Sequence, residues 1–463
     1  GSLGGLVNVV TRTPQRGWHA NAGLALGSTG YANPSVTSSF GGAGWSVLGG
    51  GSYRRAESYR DGSGTRVTEL ANYTVAARDS DAFRVASAWG RGVLQPAGAG
   101  SLQVAYTRQQ ADHVLYPYLQ MDALWDDTDR VSARYELTRD GRLQALRAQA
   151  YYTRVDHWMT DEYRVTSAGR PRGYSMGTQA DTSTVGGRRE VTAGTLTAGV
   201  ELVRRGWDTR TELAARQYAP QASIPDVTID TAGAFADWRR VIGSRTTLEA
   251  GARLDRVASE ADAAIANTGL YEAYHGTRSP SRDDVLPAGR ARLAWQAGGW
   301  QLGVALGHTA RVAEANERYF ALQRMGSDWV GNPDLDPARN TGLEFSATWT
   351  HAGATVGAQA FASRVDGYIA VYDQARVQMV PGVMNAAART YANVDARLTG
   401  GELTASLPAG SRVFVSGDVS YVRGSQSGDV SRGIAEGALA EMPALRARAL
   451  ARRINLRYFE DGD

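Results

Sequence analysis

The chain has 463 residues, 43% of them hydrophobic, with 54 glycines, 14 prolines, no cysteine and a net charge of +3. That balance excludes a disordered chain and gives no nucleic-acid footprint, and the length allows one very large domain or up to three soluble ones. The lack of cysteine excludes a disulfide framework and thiol chemistry, and every basic residue is arginine.

The chain opens on GSLGGLVNVVTRTPQ, residues 1–15, in which LVNVV is a short apolar strand broken by Pro14. No stretch reaches 18 apolar residues, so no helix crosses a membrane, and no leader pattern starts the chain. Beyond Pro14, period two dominates the sequence. In RVSARYEL (130–137), Val131, Ala133, Tyr135 and Leu137 alternate with polar residues. QLGVALGH (301–308), LEFSATWT (343–350) and SRVFVSGDVSYV (411–422) repeat the pattern. Such segments are strands with one apolar and one polar face. Long helical stripes are missing.

Two kinds of connection alternate along the chain. Short ones are turns: RDGR (139–142), AGG (297–299), AGA (352–354) and PAG (408–410). Long ones fall at 107–129, 156–184, 258–284, 311–338, 367–390 and 423–443. This gives about 18 strands. So many long loops argue against a compact soluble domain. They suit a transmembrane antiparallel β-barrel, with short turns on one side and long loops on the other. A propeller needs a repeat of about 40–50 residues, which is missing, and a sandwich of this length needs linkers that the composition does not show. Tyr (21) and Trp (11) outnumber Phe (8), as at membrane interfaces or through drift in a large β protein.

The long connections hold the candidate binding residues. ADHVLYPYLQMDALWDD (111–127) carries His113, Tyr116, Tyr118, Met121 and Trp125 with three aspartates, Asp122, Asp126 and Asp127. It reads as a ligand-contacting loop whose aromatics stack on a chelate, or as a loop packed on itself. The segment 156–184 carries Asp156, His157, Trp158, Met159 and Met176. His and thioether ligands together suit Cu(I), a soft ion. Asp156 and His157 are neighbours, so in a strand they point to opposite faces. Arg311, Glu314, Glu317, Arg318 and Arg324 cluster after a strand. They line an anionic-ligand funnel or make ordinary ion pairs. The chain lacks HExxH, GxSxG and P-loop motifs, which argues against an enzyme.

GSLGGLVNVVTRTP resembles the last plug strand of TonB-dependent outer-membrane receptors, through Gly4, Gly5, Leu6, Val7, Asn8, Val9, Val10, Thr11, Arg12 and Pro14. GNPDLDPARNTGLEFSATW (331–349) is similar to a barrel pattern of the same family, through Gly331, Asn332, Pro333, Leu335, Pro337 and Glu344, with EANERYF (314–320) upstream. The resemblance implies a 22-stranded all-β barrel behind an N-terminal plug. Residues 1–14 would then end the plug and 15–463 would be a barrel cut short at its C-terminus. ESYRDGSGTRV (57–67), YYTRVDHWMTDEYRV (151–165), SMGTQADTSTVGGR (175–188) and ANVDARLTGGEL (392–403) resemble the family's copper-receptor branch. That branch implies Met176 as a metal ligand, with Tyr174 where a His is usual. The implied function is monomeric, TonB-energised uptake of a ferric siderophore or copper across the outer membrane, without a resident cofactor. A passive porin or, more remotely, a barrel hydrolase is the alternative.

Overall fold

A computed structural model describes residues 14, 16–213, 219–410 and 413–453. The plug-like segment 1–13 and the C-terminal 454–463 lie outside the described residues. Among the described residues, 21 strands form a single sheet. In chain order the first nine are β1 (Gly17–Leu26), β2 (Ala32–Gly42), β3 (Trp45–Glu57), β4 (Asp81–Leu94), β5 (Ser101–Val114), β6 (Asp122–Thr138), β7 (Ala145–Thr160), β8 (Met176–Ala193) and β9 (Leu196–Leu213). There follow β10 (Gln221–Ile242), β11 (Thr246–Glu260), β12 (Ser281–Ala297), β13 (Trp300–Arg311), β14 (Ala321–Leu322), β15 (Asp328–Val330) and β16 (Ala338–His351). The last are β17 (Ala354–Ala375), β18 (Ala387–Pro408), β19 (Val413–Gln426), β20 (Gly437–Ala438) and β21 (Arg446–Arg453). Four short helices, α1 (Val67–Leu70), α2 (Val75–Arg78), α3 (Thr268–His275) and α4 (Ala315–Tyr319), sit in connections.

Three strands, β14, β15 and β20, are two- or three-residue pieces of loops. The other 18 make the wall, matching the expectation from the alternation. Each wall strand pairs antiparallel with the next along the chain, β13 passing directly to β16 and β19 to β21. β1 and β21 are the free edges, so among the described residues the sheet does not close on itself.

The two ends of the wall differ as the connections foretell. At one end, hairpins are tight: Gly298 and Gly299 both have positive φ, 56° and 82°, the geometry of a two-residue turn whose twist matches its strands. At the other end lie the long connections. Several are shorter than the sequence suggests, because strands continue through them, whereas the connection from β13 to β16 has the expected length. β5 and β6 leave only 115–121 between them, and β7 and β8 leave 161–175. Segments such as Asp122–Asp129 do not alternate in hydropathy, yet they hydrogen-bond to β7 all the same. Pairing there is carried by the backbone, and neither face meets hydrocarbon.

The apolar face points outward. Leu202, Leu254, Leu306, Phe345 and Leu403 are 51–63% exposed. This band is bounded by aromatics of two kinds. Trp45, Trp295, Trp300 and Trp349 lie at the short-turn end, with Trp300 and Trp349 6.4 Å apart. Tyr53, Tyr106, Tyr152 and Tyr421 lie toward the long-loop end. From Trp45 to Tyr53 a tilted strand rises about 21 Å, close to the apolar height of a membrane barrel. The aromatic bias of the composition is therefore a pair of girdles. The inner face is polar: Arg147 bridges Glu136 and Glu190, and Arg253 bridges Glu201 and Asp255. Interior aromatics cover glycines across the ladder. A Cβ on Gly400 would lie 2.7 Å from the Phe361 ring.

Candidate ligand-binding site at the long-loop mouth

Two groups of buried polar contacts fasten the long connections. The first joins 66–80, 115–121 and 161–175. Asp122, fully buried at the start of β6, takes Arg164 Nε at 2.6 Å and Nη2 at 2.7 Å. It also accepts the Tyr73 hydroxyl at 2.6 Å and the Tyr116 amide at 2.7 Å. Arg164 Nη2 donates to the Tyr116 carbonyl at 2.9 Å, and its guanidinium lies 3.7 Å over the Tyr73 ring. Such a charge is stable away from water because four hydrogen bonds meet the carboxylate and the cation is held by it and by the Tyr73 ring. Below it, Asp161 takes the amides of Ser175 and Met176 at 2.7 and 3.0 Å and the Thr166 hydroxyl at 2.7 Å. Burial pushes the Asp161 carboxyl up, but hydrogen bonds led by Ser175 outweigh it and hold the group below the ordinary carboxylate value.

The second group explains the two motifs. In EANERYF, Glu314 and Glu317 form a reciprocal N-terminal cap on α4, and Arg311 clasps Glu317 at 2.7 and 2.8 Å. Tyr319 donates to or accepts from Ser259 at 2.9 Å. In GNPDLDP, Gly331 lies against the α4 backbone so closely that a Cβ would come 2.5 Å from the Arg318 carbonyl carbon. Asn332 Nδ2 donates to the Tyr391 carbonyl at 3.1 Å, and Leu335 is fully buried. The same group anchors α3: Tyr274 donates to Asp328 Oδ2 at 2.7 Å, and Asn385 Nδ2 to Asp328 Oδ1 at 2.6 Å.

The candidate residues from the sequence fall in three places. Arg318 is fully buried; it donates to Asp284 at 2.7 Å, Ser259 at 3.0 Å and the Leu335 carbonyl at 2.9 Å. Its charge therefore fixes the loop and does not face the lumen, against the funnel expectation. Arg311 and Glu314 are likewise taken, by Glu317 and Arg205. Tyr116 and Tyr118 meet edge to face at 6.0 Å; Tyr116 is half-buried and Tyr118 is 81% exposed. Met121 is half-buried beside Asp122. Trp125 packs on Trp158 and donates to Asp156 at 3.0 Å, on the outward side.

His157, Met159 and Met176 share the inner face. Asp126 lies opposite His157 and meets its Nδ1 at 3.0 Å, while Asp156 faces the other way. Met159 lies opposite Thr178, two residues from Met176. The two thioethers are thus diagonal neighbours, with Cα atoms about 7–8 Å apart. The three side chains climb one wall toward the mouth. Three further methionines escaped the sequence reading. Met325, Met379 and Met384 are 66%, 79% and 78% exposed. Their loops are tied together by Gln323 to Gly382 at 2.8 Å and Asn385 to Arg324 at 2.7 Å. Among the described residues, no group of three or more His, Asp or Glu side chains is placed to hold a metal ion.

A single sheet of sequential antiparallel strands, apolar outside, polar inside and ringed by Trp and Tyr, defines a membrane β-barrel. The sequence profile described as TonB dependent receptor-like, beta-barrel, matches residues 70–463, and the chain belongs to that family. Among solved structures, the copper transporter OprC aligns with a TM-score of 0.77 and 22% identity, over 95% of this chain and 66% of that one. The Serratia marcescens hemophore receptor HasR, solved with its hemophore HasA and heme, aligns at 0.66 and 15% identity, over 93% and 69%. The ferric enterobactin receptor PfeA of Pseudomonas aeruginosa aligns at 0.64 and 13% identity, over 92% and 67%. This chain thus spans about two thirds of those structures, and at such identities the likeness is one of fold. No curated protein sequence matches.

Proposed function

We propose that this chain is the barrel of an outer-membrane receptor that takes up a scarce metal, driven through an N-terminal plug by the inner-membrane TonB complex. Residues 1–14 are read as the end of that plug and the barrel as monomeric, its long loops outside the cell. The cargo favoured is copper. The observation that carries this is the run of His157, Met159 and Met176 up one inner wall, beneath a mouth displaying Met325, Met379 and Met384. Thioethers are soft, uncharged ligands that suit Cu(I) and bind hard ions poorly. Loops would capture the ion, and the inner-wall ligands would pass it toward the plug. The exposed Tyr118 beside Tyr116 supports a second reading, a ferric chelate stacked on aromatics.

The test is Cu(I) binding and cellular copper uptake by the whole protein, with Met176→Ala and Met159→Ala beside wild type. Loss of binding in either variant supports the wall as the copper path. Wild type that binds no copper but takes up a ferric siderophore replaces copper by the chelate. Passive diffusion of small solutes, independent of TonB, would make the barrel a porin.

A further inference from the structure

The outward face changes character just above the tyrosine girdle. Four girdle tyrosines are followed two residues later, on the same face, by arginine: Tyr53 and Arg55, Tyr106 and Arg108, Tyr152 and Arg154, Tyr421 and Arg423. These arginines belong to a charged collar. At several points an outward arginine meets aspartate across the ladder: Arg108 with Asp129 at 2.7 Å, Arg204 with Asp230 at 2.7 Å, Arg256 with Asp283 at 3.3 Å.

Between β17, β18 and β19 the collar is different. Arg364 and Arg397 stand directly opposite each other, and Arg423 lies one step lower, opposite Thr399. Like charges facing across a ladder are destabilising. Arg364 is offset by Asp366 at 2.6 Å and Asp395 at 3.3 Å. Arg397 and Arg423 are exposed and make no ion pair or hydrogen bond among the described residues. The three line a groove of about 520 Å³ with Asp395, Ser425 and Glu436. Beneath it the wall is smooth: Ala358, Ala360 and Ala362 of β17 lie beside Gly401 of β18, flanked by Leu403 and Tyr421. Arg364 is ten residues from the start of β17, about 26 Å along the barrel axis at ordinary strand tilt. That height is the boundary between hydrocarbon and headgroups.

We propose that Arg364, Arg397 and Arg423 form a docking site for the phosphorylated headgroup of a multi-acyl lipid of the outer leaflet, its chains lying on the alanine and glycine strip. The proposal rests on the membrane reading above. Planar guanidiniums suit phosphate, and two unpaired ones abreast of a third supply the positive charge that a phosphate would relieve. The partner is a lipid and not free phosphate because the cationic groove opens onto an apolar trough.

The experiment uses the whole protein purified from outer membranes, with Arg397→Gln/Arg423→Gln beside wild type and Arg204→Gln as a control at a paired position. Retained lipid is read by native mass spectrometry. After delipidation, binding of diphosphoryl lipid A, its monophosphoryl form and inorganic phosphate is compared. The double variant is expected to retain and rebind diphosphoryl lipid A roughly tenfold or more weakly, the control unchanged. The monophosphoryl form should bind more weakly than the diphosphoryl form. Equal retention by wild type and double variant overturns the proposal, as does binding of phosphate alone as well as lipid A. Fractionation separates this from the membrane reading. A protein absent from the outer-membrane fraction defeats both, whereas a folded, correctly located double variant that keeps its lipid defeats the docking site alone.

Discussion

The Asp122–Arg164–Tyr73 clamp makes the sharpest structural prediction. Asp122 and Arg164 have side chains 0% and 4% exposed. Asp122→Asn keeps the shape but removes the charge that two short guanidinium bonds meet, leaving the cation buried and uncompensated. Breaking such a pair from one side costs about 3–5 kcal/mol. The clamp joins three loops to one another and leaves the wall ladder untouched, so the loss falls on loop opening and not on barrel unfolding. At ~1.4 kcal/mol per factor of ten, the open fraction rises by roughly two to three and a half orders of magnitude. Trypsin acting on intact cells reads this directly, because Arg78, Arg170 and Arg172 lie in or beside the clamped segments. When reclosing outpaces cleavage, the cutting rate follows the open population. Asp122→Leu with Arg164→Met, which removes both charges, should recover most of the protection. If Asp122→Asn is cut no faster than wild type, or the apolar pair is cut as fast as the single variant, the clamp does not hold the loops as described.

Two further outcomes concern the second anchor. His275 on α3 meets Thr390 Oγ1 at 2.8 Å, and burial first, then the charge of Arg432, pull it from its ordinary 6.5 down to about 4. A depressed group stabilises the fold above its unfolded value and loses that contribution as pH falls, here between pH 6.5 and 4, by about 3 kcal/mol in all. The protection factors of α3, taken relative to the intrinsic exchange rate at each pH, should fall across that window and stay constant in His275→Gln; unchanged protection at pH 4 refutes the reasoning. Gly331→Ala forces a Cβ against the backbone of Arg318 and Tyr319, at 2.5–2.7 Å, where no side chain can yield. It should cost about 1–3 kcal/mol, seen as a lower temperature for loss of the heat-modifiable folded band on a gel. An unaltered transition would show that the loop backbone shifts freely.

The wall was legible in the sequence because lipid and lumen impose opposite chemistry on alternate residues. LEFSATWT announces its register, and Leu343, Phe345, Ala347 and Trp349 do face outward in line with Leu306, Val304, Leu302 and Trp300 of β13. Past the membrane that constraint lapses, so Asp122–Asp129 reads as loop although it is strand. Sites were less legible still. That Arg318 is buried depends on Asp284, 34 residues earlier, and Ser259, 59 residues earlier. Met325 and Met384 converge through hydrogen bonds between loops that no local pattern links. The opposite facing of Asp156 and His157 was readable, since it needs only strand geometry.

The anchoring contacts also set what natural variation can reach. Asp122, Arg164, Arg318 and Asp328 lie under the loops, whereas Tyr118, Met325, Met379 and Met384 stand at their tips. Tip residues can therefore be exchanged without loosening the scaffold beneath them. The outer surface can thus be redrawn one side chain at a time. The same separation means that a new surface chemistry at the mouth need leave no trace in the buried anchors beneath it.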